Sequence, residues 1–214
     1  MIEVVNIKKY YGSLKVLGGI NFKIDYGESV GVVGESGCGK TTLAKIIARL
    51  LEPTSGTVLY RGDDIFRMKR SRLKKFRQKV QIVFQDPYAS LDPKMRIKNI
   101  LIEPLIIHNT VAENRRMQKI AELLKKVELK NDILDKYPHQ LSGGERQRIN
   151  IARALSVEPK LLICDEPVSS LDLPIQAKIL KLLIRLKKEE GLALLFISHD
   201  PAVIKLISDR VIRL

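Results

Sequence analysis

Cysteine, long apolar runs and acidic residues are all scarce in this sequence of 214 residues. Its two cysteines, Cys38 and Cys164, are too few for a disulfide framework and lack metal-ligand spacing, so a reducing compartment is expected. No apolar run approaches the roughly 20 residues that span a bilayer, and no signal-peptide pattern follows Met1. Any membrane pathway is therefore expected to come from other chains. The 45% hydrophobic and 29% charged content is ordinary for a soluble globular protein.

The shortage of acidic residues leaves a net charge of +14. Its densest part is Arg67–Lys79, where eight of 13 residues are basic. Three interpretations are open: a nucleic-acid footprint, attraction to an anionic membrane leaflet, or a solvated helix face with Leu73 and Phe76 turned inward. No aromatic residues are interleaved there to suggest base stacking. The charge alone does not identify a partner.

A glycine-rich loop, Gly34–Thr41, matches the pattern G-x-x-x-x-G-K-[ST] in full. Ser29–Val33 before it is typical of a short buried strand, and Thr42–Leu51 after it of a helix. Such a loop wraps phosphates with its N–H groups, while Lys40 reaches the β- and γ-phosphates and the Thr41 hydroxyl coordinates Mg²⁺. A nucleoside triphosphate site is predicted, with these binding residues: Gly34, Ser36, Gly37, Cys38, Gly39, Lys40, Thr41 and Thr42.

Two further apolar runs end in polar residues. Leu161–Asp165 is predicted to be a buried strand whose tip meets the nucleotide, with Asp165 holding Mg²⁺ and Glu166 placed to polarise a water for attack on the γ-phosphate. Leu194–Ser198 repeats the pattern and is followed by His199. A histidine after a strand is usually structural, but this strand is expected to lie beside the others.

A second anion-friendly helix end is predicted at Leu141–Arg148. Ser142 and Glu145 have capping-box spacing, and the following residues to Ser156 are predicted to be helical. Gly143 and Gly144 leave the backbone N–H groups of the first turn open to an anion. A capped surface helix is the simpler interpretation of Ser142 and Glu145 taken alone.

Taken together, these motifs resemble the ATP-binding subunits of ABC transporters over Ile2–Arg213. Gly34–Thr41 matches the Walker A motif of the family, and Leu161–Asp165 with Glu166 matches its Walker B motif. The remaining matches are Gln85 to the Q-loop, Leu141–Gln147 to the signature, Ser169–Asp172 to the D-loop, His199 to the switch histidine and Tyr11 to the aromatic residue that stacks on adenine. The resemblance implies an α/β fold: a RecA-like P-loop NTPase core with an antiparallel β subdomain and an inserted α-helical subdomain.

The expected layout is a single ABC ATPase domain over residues 1–214. Residues 1–85 and 160–214 would form the nucleotide-binding core with the β subdomain, and residues 86–159 the helical subdomain that carries the signature. The sequence pattern agrees, since residues from Asp86 to about Pro159 contain helical segments and no convincing strand. These helical segments are predicted at Ile97–His108, Ala112–Val127 and Arg146–Ser156.

The resemblance also implies roles that spacing does not show. Ser142 and Gly144 would contact the γ-phosphate of an ATP held by a second subunit, with Asp172 across the same interface. Gln85 would sense Mg²⁺ and water, and His199 would steady the γ-phosphate and Glu166. The implied activity is ATP hydrolysis, with Glu166, His199 and Gln85 catalytic and with Thr41, Gln85 and Asp165 around the metal. A dimer with twofold symmetry would bring the two anion-binding helix ends together.

Gln85–Pro93 and Tyr137–Gln140 resemble the dipeptide, oligopeptide and nickel importer branch, whose members usually continue past Leu214. The implied partners are an identical or paralogous ATP-binding subunit, transmembrane permease subunits and a solute-binding protein at the cytoplasmic face of the membrane, with no specific nucleic acid. An exporter subunit and a soluble ABC ATPase are the alternatives. After Gln85, three residues are expected either to contact a permease helix or to pack within the helical subdomain: Tyr88, Leu91 and Met95.

Overall fold

The computed structural model describes residues 1–214, which form nine strands and seven α-helices. The strands are β1 (Ile2–Tyr11), β2 (Leu14–Ile24), β3 (Ser29–Val33), β4 (Ser55–Tyr60), β5 (Asp63–Asp64), β6 (Val80–Val83), β7 (Leu161–Asp165), β8 (Ala193–Ser198) and β9 (Arg210–Arg213). The helices are α1 (Lys40–Ile47), α2 (Arg70–Lys79), α3 (Ile97–His108), α4 (Arg116–Lys126), α5 (Gly143–Leu155), α6 (Leu173–Glu190) and α7 (Pro201–Ile207). None of these helices is both long and apolar enough to cross a membrane.

A parallel five-stranded sheet in the order β6-β7-β8-β3-β9 forms the centre of the molecule. Its strands β7 and β8 are buried at every residue, which explains their continuous apolar sequences. Because parallel strands all end at the same edge, the residues that follow β3, β6, β7 and β8 meet there. The phosphate loop, Gln85, Glu166 and His199 are thus brought to one edge from four separate parts of the chain.

A second, antiparallel sheet in the order β2-β1-β4-β5 carries the N-terminal part of the chain. Tyr11 ends β1 at the tight connection into β2, where it pairs with Leu14. The expected antiparallel subdomain is therefore present, and its hairpin places Tyr11 beside the phosphate loop.

The two faces of the parallel sheet bury different side chains. On one face Leu162, Cys164, Leu194 and Phe196 join a cluster of 30 buried residues that extends into helices α3 to α7. On the other face alternate residues of the same strands, such as Ile163 and Leu195, belong to a cluster of 23 buried residues that extends into α1, α2 and the antiparallel sheet. Because successive side chains of a strand point to opposite faces of the sheet, this alternation decides which residues pack against each layer of helices or strands. The residues that follow the strand ends lie outside both layers and are available to bind a ligand.

Helices α3, α4 and α5 are inserted between β6 and β7, with no strand among them, as the sequence pattern predicts. Helix α3 has the predicted bounds, whereas the predicted segment Ala112–Val127 splits into a 3₁₀ turn, Glu113–Arg115, and α4. Helix α5 begins at Gly143, directly after the predicted cap at Ser142. The subdomain bounds at 85/86 and 159/160 stay a prediction.

Helix α1 differs from the predicted Thr42–Leu51. It begins two residues earlier, at Lys40, so that the phosphate loop runs directly into its first turn. It ends at Ile47 because Arg49 adopts a left-handed conformation, with φ of 53°, and the N–H groups of Leu50 and Leu51 turn back to the Lys45 carbonyl. This arrangement is a typical way to satisfy the last carbonyl groups of a helix.

Candidate nucleotide site

The loop between β3 and α1 is shaped by two glycines in left-handed conformations, Gly37 with φ of 81° and Gly39 with φ of 102°. A Cβ on Gly39 would lie 2.9 Å from side-chain carbons of both Val16 and Leu17, so strand β2 backs the loop closely. The Lys40 ammonium donates to the carbonyls of Gly34 (2.8 Å) and Glu35 (2.7 Å), which holds it inside the loop. The loop is thus a curved cradle with a buried cation at its base.

Asp165 lies under this loop and joins it to the neighbouring part of the sheet. Thr41 donates its hydroxyl hydrogen to Asp165 Oδ1 at 3.2 Å, although the two residues are 124 positions apart in sequence. Burial raises the pKa of the Asp165 carboxyl, and the Thr41 hydrogen bond opposes that rise. The contact places two of the predicted metal-binding oxygen atoms side by side.

Glu166 follows Asp165 in a left-handed backbone conformation, with φ of 47°, which is rare for a residue other than glycine and costs about 1–2 kcal/mol. Its N–H donates to the Ile197 carbonyl (3.0 Å), and its own carbonyl accepts from the Ser169 hydroxyl (3.1 Å). This turn points the carboxylate back toward the loop. Strain held by such contacts is characteristic of functional positions.

The Glu166 carboxylate lies between two groups that the sequence places in separate motifs. One oxygen is 3.8 Å from the Lys40 ammonium, and the other is 3.0 Å from His199 Nδ1. The Glu166 side chain is 14% exposed and that of His199 is 58% exposed, so the pair lies at the boundary between the interior and solvent. A carboxylate in this position can accept a proton from a water at the mouth of the loop.

These groups surround an open cavity of about 670 Å³, within the size range of small-molecule sites. Most of the predicted site residues line it: Tyr11, Ser36, Gly37, Gly39, Lys40, Thr41, Thr42, Gln85, Glu166 and His199. Sequence reasoning missed three lining residues. Val16 belongs to no motif, whereas Ser169 and Ser170 begin the segment matched to the D-loop and could have been proposed from it.

Gly34 and Cys38 lie on the other side of the loop. They line a separate cavity of about 490 Å³ with Arg213 and Leu214, and Cys38 Sγ lies 2.6 Å from where a Gly34 Cβ would be. Their side-chain positions therefore face away from the nucleotide cavity, so any contact with phosphate must come from their backbone N–H groups.

The predicted signature residues lie outside the cavity within one chain. The Ser142 hydroxyl accepts from the Glu145 N–H at 3.3 Å, and Glu145 Oε2 accepts from the Ser142 N–H at 2.8 Å, which completes the capping box. These bonds also hold the pKa of Glu145 below its ordinary value. A Cβ on Gly144 would lie 2.7 Å from Ile175 of α6, so α5 and α6 approach closely here. Gly143 is in the same first turn.

Asp172 also lies outside the cavity, and its role in one chain is structural. It caps α6, since its carboxylate accepts from the Ile175 N–H at 3.0 Å. Neither Asp172 nor the first turn of α5 can serve the nucleotide cavity of the same chain in this arrangement. If they contact a nucleotide, a second molecule must hold it.

Polar side chains on one face of α5 fix the segment that follows Gln85. Asn150 donates to the Pro87 carbonyl (3.1 Å) and Arg153 to the Ser90 carbonyl (2.6 Å), while the Arg146 guanidinium lies 5.1 Å from the centre of the Tyr88 ring. Leu91 is 2% exposed, so it packs in the core and is not available to another chain. Tyr88 is 44% exposed and stays available for the predicted permease contact.

The oxygen ligands offered here suit Mg²⁺. Thr41 and Gln85 provide a hydroxyl and an amide at the cavity, and the buried carboxylate of Asp165 lies directly behind Thr41. No cluster of three or more histidine, cysteine or acidic side chains forms an all-protein metal cage. Mg²⁺ prefers a few protein oxygen atoms completed by water and substrate phosphates. The residues fit an ion that enters with a nucleotide.

A glycine-rich loop between a parallel strand and a helix, a lysine inside it and an acidic strand end beneath it define the P-loop nucleoside triphosphatases as a class. Within that class, the sequence model described as "ABC transporter" matches residues 17–169. The chain belongs to the ABC transporter family, as an ATP-binding cassette.

Similar proteins agree with this assignment. The chain is 45% identical to "Putative oligopeptide transport ATP-binding protein YkfD" and 46% identical to "Oligopeptide transport ATP-binding protein OppF", both of Bacillus subtilis (strain 168). Each match covers 99% of this chain but only 66% and 71%, respectively, of those two proteins, so the chain spans about two thirds of their length.

A solved structure shows the same fold over the full chain. It is described as "Dimeric structure of a post-hydrolysis state of the ATP-binding cassette MJ0796 bound to ADP and Pi", and it matches with a TM-score of 0.88 and 32% identity. The match covers 100% of this chain and 94% of that one. The α/β fold with a P-loop core that the sequence predicts is therefore confirmed.

Proposed function

We propose that this chain binds and hydrolyses ATP as the motor subunit of a peptide importer. The observation that carries the proposal is the position of the Glu166 carboxylate, 3.8 Å from Lys40 and 3.0 Å from His199 at the mouth of the phosphate loop. The relatives named above are transport ATP-binding proteins for oligopeptides, which favours a peptide over a nickel-type solute. A further relative of 44% identity, "Putative peptide import ATP-binding protein BOV_A0347" of Brucella ovis, favours an importer over an exporter or a soluble ABC ATPase.

Each group of residues around the cavity would have a separate role in ATP binding or hydrolysis. Backbone N–H groups of the loop and the Lys40 ammonium bind the phosphates and balance their charge. Tyr11, at the edge of the cavity and 51% exposed, is available to stack on the base. Glu166 takes a proton from the attacking water, and His199 holds that carboxylate in place from the solvent side.

Thr41, Asp165 and Gln85 would hold Mg²⁺ beside the phosphates. The ion would supply charge neutralisation for the terminal phosphate group as the bond breaks. Burial that raises the pKa of Asp165 in the free chain is consistent with a carboxylate that awaits a cation.

Two such chains, or this chain and a paralogue, would bind two nucleotides between them. Ser142, Gly143, Gly144 and Asp172 of one chain would then complete the site of the other, which gives these exposed helix ends a ligand. The dimeric form described for the MJ0796 cassette supports the arrangement. Residues 86–159 would act as a helical subdomain that carries the signature toward the partner.

The remaining partners follow from the same proposal. Transmembrane permease subunits and a solute-binding protein would supply the pathway and the peptide, and the chain would lie peripherally at the cytoplasmic face of the membrane. The segment after Gln85, fixed to α5 through Asn150 and Arg153, would be the contact with the permease. Its attachment to the signature helix offers a direct mechanical link between permease and ATP.

The substitution Glu166→Gln tests the proposal. It keeps side-chain size but removes the base, so turnover is expected to fall by about 10²–10⁴-fold while ATP still binds. With hydrolysis blocked, ATP should hold the protein as a dimer, which is measurable by light scattering. Glu113→Gln, at an exposed glutamate without an ion pair in the helical insertion, is the matched control and should behave as wild type. Turnover by Glu166→Gln near the wild-type rate would contradict the proposal.

A further inference from the structure

The end of strand β1, which carries Tyr11, is held less regularly than the rest of the strand. On one side its pairing with β4 ends at Lys8, opposite Ser55. On the other side the register with β2 shifts between Lys9 and Tyr10. An irregularity of this kind redirects the side chains that follow it. The position of the Tyr11 ring therefore depends on more than the hydrogen bonds of the sheet.

The connection between α1 and β4 supplies the additional contacts. Thr54 donates its N–H to the Lys8 carbonyl (2.9 Å), and its hydroxyl accepts from the Tyr10 N–H (3.0 Å). Between these two bonds, the Lys9 ammonium donates to the Glu52 carbonyl at 2.8 Å. The last residues of β1 are thus tied to the chain that follows α1, the helix whose first turn completes the phosphate loop.

The same Lys9 ammonium contacts the Tyr11 ring. Its Nζ atom lies 5.1 Å from the centre of the ring, which is within the range of a cation–π interaction. Lys9 forms no ion pair within the chain, so no carboxylate competes with the ring for the cation. Tyr11 lines the nucleotide cavity and Lys9 does not, so the cation meets the ring from outside the cavity.

We propose that Lys9 is a positioning residue for nucleotide binding, because it holds the Tyr11 ring in the orientation that stacks on the base. This role rests on the stacking of Tyr11 in the proposed function. A half-exposed ring that became ordered only when nucleotide binds would weaken binding by the entropy it loses. A cation on the ring orders it beforehand, and the bond from Lys9 to Glu52 ties it to α1. The base site and the phosphate site are thereby held at a fixed separation.

Calorimetric titration of the full chain with MgADP and with magnesium pyrophosphate tests this proposal. The variant K9M keeps the length of the side chain but removes the cation and its hydrogen bond. A cation–π contact at an exposed site changes affinity about two- to fivefold, so K9M should bind ADP weaker by that factor. Pyrophosphate has no base and should bind to K9M and to wild type equally. In ATPase assays K9M should raise KM by the same factor and leave kcat unchanged, and K9R, which keeps the cation, should restore KM.

The matched control is K15M, which removes the same charge from an exposed lysine of the same hairpin that does not contact the Tyr11 ring. It should bind both ligands as wild type does. The variant Y11L removes the ring and should weaken ADP binding by at least about fivefold, because stacking on the base is lost. If Lys9 acts through the ring, K9M should cause no further loss when it is added to Y11L.

Four results would overturn the proposal. Equal weakening of ADP and pyrophosphate binding by K9M would show that the lysine acts through its charge on the phosphates. The same loss from K9M with and without the Tyr11 ring would show that it acts elsewhere. Unchanged ADP binding by K9M beside a weakened Y11L would exclude the role of Lys9 and leave the proposed function intact. Unchanged ADP binding by Y11L would exclude the stacking role of Tyr11 as well, whereas the ATPase function is tested separately by Glu166→Gln.

Discussion

Alanine at Gly39 should damage the phosphate loop more than alanine at Gly37. Both glycines have positive φ, 102° and 81° respectively, so both substitutions force a side chain into a disfavoured backbone conformation. They differ in their surroundings. A Cβ on Gly39 would lie 2.9 Å from Val16 and Leu17 carbons and 3.0 Å from the Val16 carbonyl oxygen, whereas one on Gly37 would meet nothing within 4 Å.

The expected magnitudes follow from that difference. Backbone strain costs about 1–2 kcal/mol at either site, and overpacking against β2 adds about 1–3 kcal/mol at Gly39 alone. Gly37→Ala should therefore lower the free energy of unfolding by about 1–2 kcal/mol and Gly39→Ala by about 2–5 kcal/mol. Urea denaturation without nucleotide measures both values, and fluorescent-nucleotide titration should show the larger loss of affinity for Gly39→Ala.

If the two variants unfold at the same denaturant concentration with the same slope, the contact between the loop and β2 does not constrain the fold as described. If Gly39→Ala is more destabilising but binds nucleotide normally, the loop has a structural role and the assignment of its N–H groups to phosphate is wrong.

Three further predictions concern stability and reactivity. Phe76→Ala should cost about 3–5 kcal/mol in unfolding free energy, because the ring is 1% exposed and meets Tyr60 edge-on at 5.5 Å; a loss below 1 kcal/mol would place α2 outside the core. A thiol reagent should label one cysteine, Cys38, in the folded chain, since Cys164 is fully buried and burial raises its pKa; labelling of both without denaturant would be contradictory. Burial tends to raise the pKa of Asp209, but hydrogen bonds from Lys187 and Ser29 bring it below its ordinary value. Its stabilisation is therefore present above about pH 4 and lost as pH falls further, so Asp209→Asn should destabilise at pH 6 and have little effect at pH 2.

Local sequence was enough to predict the parts that depend on local chemistry. The strand and loop at Ser29–Thr41, the strands that end at Asp165 and Ser198, and the capping box at Ser142 all follow from periodicity, glycine spacing or side-chain hydrogen bonding. Because parallel strands end at one edge, the convergence of Gln85, Glu166 and the loop also followed once the strands were identified.

Features that depend on distant contacts were not predictable in the same way. Hydrogen bonds with Ile197 and Ser169 hold the backbone of Glu166 in its left-handed conformation, and no local signal in the sequence marks that turn. Val16 lines the cavity because the hairpin of the antiparallel sheet packs against the phosphate loop. That contact depends on how the two sheets pack together and not on the local sequence. The direction of the Cys38 side chain could not be predicted either, because it depends on contacts with Gly34 and with the C-terminal residues Arg213 and Leu214.

The central claim is that each complete site takes its phosphate loop from one chain and its signature helix from another. Ser142→Asp keeps a good N-cap for α5, because aspartate caps a helix as well as serine does. Its negative charge would, however, repel the terminal phosphate of the ATP that the other chain holds. Lys40→Met removes the loop cation at similar volume. Each variant alone should be nearly inactive, and the neutral cap Ser142→Asn serves as the control for fold.

Mixing the two inactive variants is the most direct test. Half of the dimers should be mixed, and each mixed dimer should hold one site with both an intact Lys40 and an intact Ser142. ATPase activity of the equimolar mixture is therefore expected to recover to about one quarter of the wild-type value. A mixture no more active than the two variants measured separately would contradict a site shared between chains.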